Sequence, residues 1–509
     1  MEKYTGRFHS HITSMKGHIP SDRRFYMRNT KIALAACLLI LAMLLASCGV
    51  TVTPPTETGD DTDTGDESYT ETPAPTEKED ETVYRYAGNP DYPVLADAYL
   101  ADLPGMDFGG KTFIITSPDT TLLDPDAVRY VSVTVKRRND AVEEKYNINI
   151  ETAESDAATM IEEAKKARLA GMYYTDIMCL PVSEVCVFDA ESLLMNLRSL
   201  PHLDLAKPYF NQSSVSAMSV GYRILGVAGE STPTADLSCV IFNRGALGIS
   251  VTNELYSIAE SGALTWDKMF EYARLADSME GVVPSVLDGG ESLDYVFTSL
   301  GGKYVASSAG SVPSVATVQN SFDWAATYAR VMLNSTASAG IPRENAVKAF
   351  SEGGALFTVG NVGSLDDYRT SSVRVGMLPM PKHSAEEPYR SLAGADSLVM
   401  TVPSGTTNSE MISLVLSAVN AASYGYVTEQ NASYLHATTL PDNRSADMLE
   451  IIARGAVYDF TTAFEKTVPS ATEFKTTVRE IIDTGSFAGY EAAVTKLNRD
   501  LAALYPLSN

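Results

Sequence analysis

Between Lys111 and Pro181 short apolar runs alternate with charged stretches of helical period, and this alternation limits the possible folds more than any other feature of the chain. Lys111-Thr112-Phe113-Ile114-Ile115-Thr116 predicts a first strand, Val128 to Tyr146 a helix with a charged face, and Asn147-Ile148-Asn149-Ile150 a second short strand. Ala157 to Ala170 is alanine-rich and stops at Gly171, the residue type that closes helices. Asp176 to Pro181 is an apolar run ended by proline, as a buried parallel strand would be. Strands and helices alternating at this spacing imply an open α/β sheet. Ligands of such sheets bind beyond the carboxyl ends of the strands, which puts Ser117-Pro118-Asp119 and Pro181-Val182-Ser183 beside any cleft.

The pattern then repeats. Ser238 to Asn243, Ala355 to Val359, Val373 to Leu378 and Ser397 to Pro403 read as strands. Thr265 is placed to cap a helix that opens at Trp266 and continues to about Leu275, and Ser409 to about Ala422 reads as another. Two α/β lobes, each with its own sheet, account for this length without a long structureless loop.

Upstream of the globular part, Arg28 and Lys31 precede an apolar run from Ile32 to Ala46 that ends in Leu45-Ala46-Ser47-Cys48. A basic start, a short apolar core and small residues at the cut describe a secretory signal peptide, with Met27 as its natural initiator. Cys48 after Leu-Ala-Ser resembles the lipobox of bacterial lipoproteins, in which the thiol is diacylated and becomes the new N-terminus. Residues 48–82 are then a lipidated cysteine and an acidic Thr/Pro linker with almost nothing to bury, a spacer with a reach of roughly 30 Å or more. Asp61-Thr62-Asp63 superficially suggests a calcium loop, but Asp66 and Thr72 stand where the EF-hand needs glycine and glutamate. A long acidic tether with Gly49 behind the cysteine favours the outer face of the cell membrane.

The formal charge is −25, and removing the +5 of residues 1–47 leaves −30. Such a surface argues against nucleic acid or an anionic membrane face as partner. It is compatible with neutral or cationic solutes. Cys179, Cys186 and Cys239 match no zinc or redox spacing, and their apolar surroundings favour buried free thiols over a Cys179–Cys186 bridge.

Four stretches, in this order, resemble the extracellular solute-binding lipoproteins of ABC importers, in the class that includes the maltose-type binders. Tyr174-Thr175-Asp176-Ile177-Met178 is the first. Val220 to Val227 followed by a strand ending Phe242-Asn243-Arg244 is the second, and Leu264-Thr265-Trp266-Asp267-Lys268-Met269 the third. The fourth runs from Phe350 to Asn361 and on to Val375 to Lys382. The resemblance implies a two-lobed periplasmic-binding-protein-like (type II) α/β fold with a hinge and an interlobe cleft. It implies an N-lobe of residues 83–238 plus 383–436, a C-lobe of 243–377 plus 441–509, and hinge crossovers at 238–243 and 376–382. It further implies a monomer that captures a small solute, a sugar or oligosaccharide, by lobe closure and delivers it to ABC permease subunits, with no cofactor or metal.

Site residues carried by the resemblance are Glu230, Ser231, Thr232 and Asp236, which lie before the first crossover. Asp236 falls where maltose-type members carry a carboxylate, a group suited to sugar hydroxyls. Turn capping or pairing with a lysine would explain Glu230 and Asp236 equally. Asn361 is expected to face the cleft, and Asp396-Ser397 to border it at the start of a strand. The aromatic platform of maltose-type members is missing, since Gly363 and Ser364 stand at its place. Trp266 and Trp324 each sit at a helix start, so Tyr295 is the aromatic candidate, with core packing as its alternative reading.

Enzyme chemistry is not visible. His202, His383 and His436 are scattered, and the chain has no nucleophile elbow, metalloprotease motif or phosphate loop. Glu386-Glu387 and Asp366-Asp367 are adjacent on polar loops rather than set across a bond, as a glycosidase requires. A surface adhesin or sensor on the same fold would share every feature named above.

Overall fold

The run Ile177-Met178-Cys179-Leu180 has no polar face to offer water, and the fold buries all four residues. In the computed structural model, which describes residues 91–127, 132–287, 290–308, 310–316, 325, 343–425, 440 and 442–504, this strand lies inside a four-stranded sheet. The described residues belong to one of two compact units, Glu81–Asn509, and the other is Met1–Asp80. The expected leader, Cys48 and the linker, together with Trp324 and His436, lie outside the described residues. Among those described, no helix is long and apolar enough to cross a membrane.

The first sheet holds β1 (Lys111–Ser117), β2 (Ile148–Glu154), β3 (Ile177–Pro181) and a late strand, Leu398–Thr401. β1 pairs in parallel with both β2 and β3, and the late strand joins β3 antiparallel, with Leu398 opposite Pro181. Asp156 caps the helix Ala157–Ala170 by accepting from the Thr159 amide at 2.8 Å, and Gly171, at φ 61°, closes it. One face of this sheet is covered by the helices Asp91–Asp102, Ser132–Tyr146 and Ser409–Ala421. Met411, Ile412, Leu414, Val415, Leu416 and Val419 of the last helix are all buried, each contributing about 1.5–3 kcal/mol.

The second sheet contains β4 (Ser238–Asn243), β5 (Val283–Val286), β6 (Ala355–Asn361) and β7 (Val375–Pro379), in the order β7-β4-β6-β5. β4 is antiparallel to both neighbours, while β5 and β6 are parallel. Thr265 caps the helix Trp266–Ala273, and Trp266 is fully buried, donating its indole N–H to Ser299 Oγ at 3.0 Å. Two α/β lobes with separate sheets thus form the frame. Its apolar core is not cut at the lobe boundary. Val182, Val185 and Phe188 of the first lobe belong to one cluster with Phe460, Phe464 and Phe474, and the helix Phe460–Phe464 packs between Val182–Ala190 and Pro469–Thr484. Cys179, Cys186 and Cys239 are buried free thiols.

Residues 238–243 and 375–379 pair in register along their lengths, so they are strands of the second sheet. Passage between sheets occurs just outside them, through residues 228–237 on the way out and 394–397 on the way back. Residues 391–393 pack against the start of β4 and the chain beyond Gly455. Leu392 donates to Ser238 Oγ at 2.8 Å, and Ala393 to the Val457 carbonyl at 2.8 Å.

Candidate functional site

Strand register decides which residues meet between the lobes. Leu398 starts its strand opposite Pro181, the last residue of β3, and Asn361 ends β6 opposite Ser238, the first residue of β4. Both crossings therefore run past the same ends of the two sheets. A cleft of about 370 Å³ opens there, lined by Asp119, Pro181, Asp236, Asn361, Asp396 and Ser397 among others.

Asp236 is the knot of this region. Its carbonyl accepts from the Gly394 amide at 2.9 Å, its Oδ1 from Asn361 Nδ2 at 2.7 Å and its Oδ2 from the Asp396 amide at 2.9 Å. Asn361 Oδ1 is engaged by the amide and the hydroxyl of Ser364, at 2.9 and 2.8 Å, which fixes the amide with its nitrogen towards Asp236. A Cβ on Gly394 would stand 2.3 Å from Asp236 Oδ2, so glycine is what admits the carboxylate to this position. Burial pushes the Asp236 carboxyl up to about 6, the Asn361 and Asp396 hydrogen bonds oppose that shift, and the charges of Asp396 and Glu291 add to it.

The return crossing is held alternately by both lobes. Gly394 and Asp396 donate to Asp236, while the carbonyls of Ala395 and Ser397 accept from Ser183 and Val182 at 3.1 and 2.8 Å. On the first lobe, Asp119 Oδ1 accepts from the Thr121 amide at 2.8 Å. The Asp396 side chain is exposed. Each carboxylate oxygen carries two lone pairs, so Asp119, Asp236 and Asp396 all keep acceptor capacity for a bound molecule.

The remaining candidates lie elsewhere. Glu230 and Thr232 line a second cavity of about 330 Å³, shared with Asn211, Arg454 and Tyr458. There Glu230 is committed to structure: Oε1 pairs with Arg454 at 2.5 Å, Oε2 accepts from the Gly425 amide at 3.0 Å, and Arg454 lies 4.9 Å from the Tyr424 ring. Ser231 is buried and donates to Asn420 Oδ1 at 2.9 Å, lining neither cavity. Tyr295 is only 3% exposed and donates to Glu291 Oε2 at 3.2 Å, so it packs in the core rather than offering a ring to the cleft. Asp119 was marked by the strand-end rule alone and not by the resemblance. Among the described residues no group of acidic, histidine or cysteine side chains is arranged to hold a metal ion.

No family model matches the chain, and no curated protein matches it in sequence. Solved structures do. A cyclo/maltodextrin-binding protein complexed with maltotetraose matches at TM-score 0.51 and 12% identity, covering 77% of this chain and 97% of its own. The fold is that of the maltodextrin-binding protein. A family 1 extracellular solute-binding protein from Bifidobacterium longum subsp. infantis matches at TM-score 0.46 and 15% identity, covering 78% of this chain and all of its own. The GacH receptor of Streptomyces glaucescens, solved unliganded and with acarbose, matches at 0.44 and 15%, covering 78% and 98%.

Proposed function

We propose that the chain is a lipid-anchored extracellular binding protein that captures a small solute of carbohydrate type in the interlobe cleft and delivers it to an ABC permease. The observation that carries this reading is the cleft itself. Loops from the ends of two separate sheets line one cavity of about 370 Å³ beside single-segment crossings, a volume inside the roughly 300–1,000 Å³ range of small-molecule sites. Closure of one lobe on the other would bring Asp119 towards Asp236 and Asn361 and exclude water from the solute. Carboxylates accept from hydroxyls, and the second hydrogen on Asn361 Nδ2 can donate to one, which suits a polyol. The maltotetraose bound by the cyclo/maltodextrin-binding protein that shares the fold is in keeping with that chemistry. The signal peptide and Cys48 would supply the anchor, and the acidic linker the reach.

A thermal-shift screen over mono- and oligosaccharides, peptides and polyamines tests this. A true solute should raise stability by roughly 3 kcal/mol at a hundredfold excess over its dissociation constant. Asp236→Ala should abolish that gain on the folded protein. A broad library without any shift contradicts the reading.

A further inference from the structure

The cleft offers three carboxylates to a ligand and no cation. Asp119, Asp236 and Asp396 line it, and none of its described lining residues is Lys, Arg or His. No ion pair among the described residues engages Asp119 or Asp396, and Asp236 is held only by neutral donors, Asn361 Nδ2 and the Asp396 amide. Behind it stands a further acid, Glu291, which already carries the Tyr295 hydroxyl. The nearby Arg343 is turned to Asp367, at 2.7 Å, and to Ser364, and Arg390 to Glu387 at 2.8 Å. The other lining groups, Pro118, Pro181, Pro233 and Leu398, give flat apolar contact without an aromatic face. An anionic solute would meet three like charges there and find no counter-ion. A neutral one would leave those charges partly desolvated on closure, at a cost that a positive charge removes.

We infer that the cleft selects an amine-bearing, cationic saccharide over its neutral and anionic counterparts. This rests on the solute-binding reading above and narrows it. The ammonium group would lie between Asp396 and Asp119, the two carboxylates without an internal ion pair, and ring hydroxyls would donate to Asp236. Donors rather than acceptors are what the site asks of its ligand.

Three matched oligomers test the inference: glucosamine oligomers, their N-acetylated forms, and oligogalacturonates, compared by calorimetric titration and melting on the unlipidated chain. The glucosamine series should bind at least about tenfold more tightly than either counterpart, and this margin should shrink as salt rises. Asp396→Asn alters an exposed side chain with no structural partner among the described residues. It should reduce amine binding by about tenfold while leaving the melting temperature of the free protein unchanged. Equal or tighter binding of the N-acetylated or acidic oligomers overturns the inference and leaves the solute-binding reading standing. Binding of some other solute class in the wider library, with none of these three, does the same. If no solute in that library binds, the reading beneath it falls too.

Discussion

Asp236 shows how one side chain serves both frame and site. Its two carboxylate oxygens and its carbonyl tie the outgoing crossing to β6 and to the return crossing. Gly394→Ala would drive a methyl group into that carboxylate, and it should lower stability by about 1–3 kcal/mol in urea unfolding. The acid's titration has a defined sign. Its pKa is raised from 3.8 to about 6 in the folded chain, so between these values the folded state holds a proton that the unfolded state has released. Stability should therefore fall as pH rises from about 4 to 6 and level off above, by no more than about 3 kcal/mol from this group. Buried Asp176 and Asp459 are raised as well, so the contribution is isolated by difference: Asp236→Asn should flatten the slope in that window. An unchanged slope in the mutant would assign the titration elsewhere. A different penalty attaches to Asp294, 2% exposed, which accepts from Arg479 Nε at 2.8 Å and the Tyr304 hydroxyl at 2.6 Å. Asp294→Ala would leave the guanidinium without its partner, and should cost about 3–5 kcal/mol.

At the level of elements, what could be read in advance was local. Apolar runs, the Thr265 cap and Gly171 fix strands and helices through interactions within a few residues, and those elements stand where the sequence puts them. Strand partners were not legible, because pairing is set by distant residues: nothing in Val375–Pro379 alone says that Cys239–Asn243 will bind it. For the same reason Glu230 read as a site residue. Its partner Arg454 lies 224 positions away, and no local signal announces the pair. Tyr295 sits in Glu291–Ser299, a helix with every residue from Ser292 buried, Asp294 and Thr298 included, so its polar residues do not mark a solvent face. Asp119 was legible from topology, being the residue beyond a β1 carboxyl end. The helix Phe460–Phe464 packs against elements of both lobes, and Phe464 is 1% exposed. Phe464→Ala should lower the unfolding free energy by about 3–5 kcal/mol, seen as a reduced urea midpoint with an unchanged slope.

For the whole molecule, the apolar core is shared between the lobes while the cleft lies beside the crossings at 228–237 and 394–397. A rigid union of that kind would make the cleft a fixed groove, and a hinge would make it a trap. The solute-binding function proposed above requires a trap, with Gly394–Ser397 bending between its alternating anchors. Small-angle X-ray scattering of the unlipidated chain, titrated with a solute found by melting, decides between them. The radius of gyration should fall with occupancy and saturate at the concentration where the melting shift saturates. A radius of gyration unchanged at full occupancy would contradict closure.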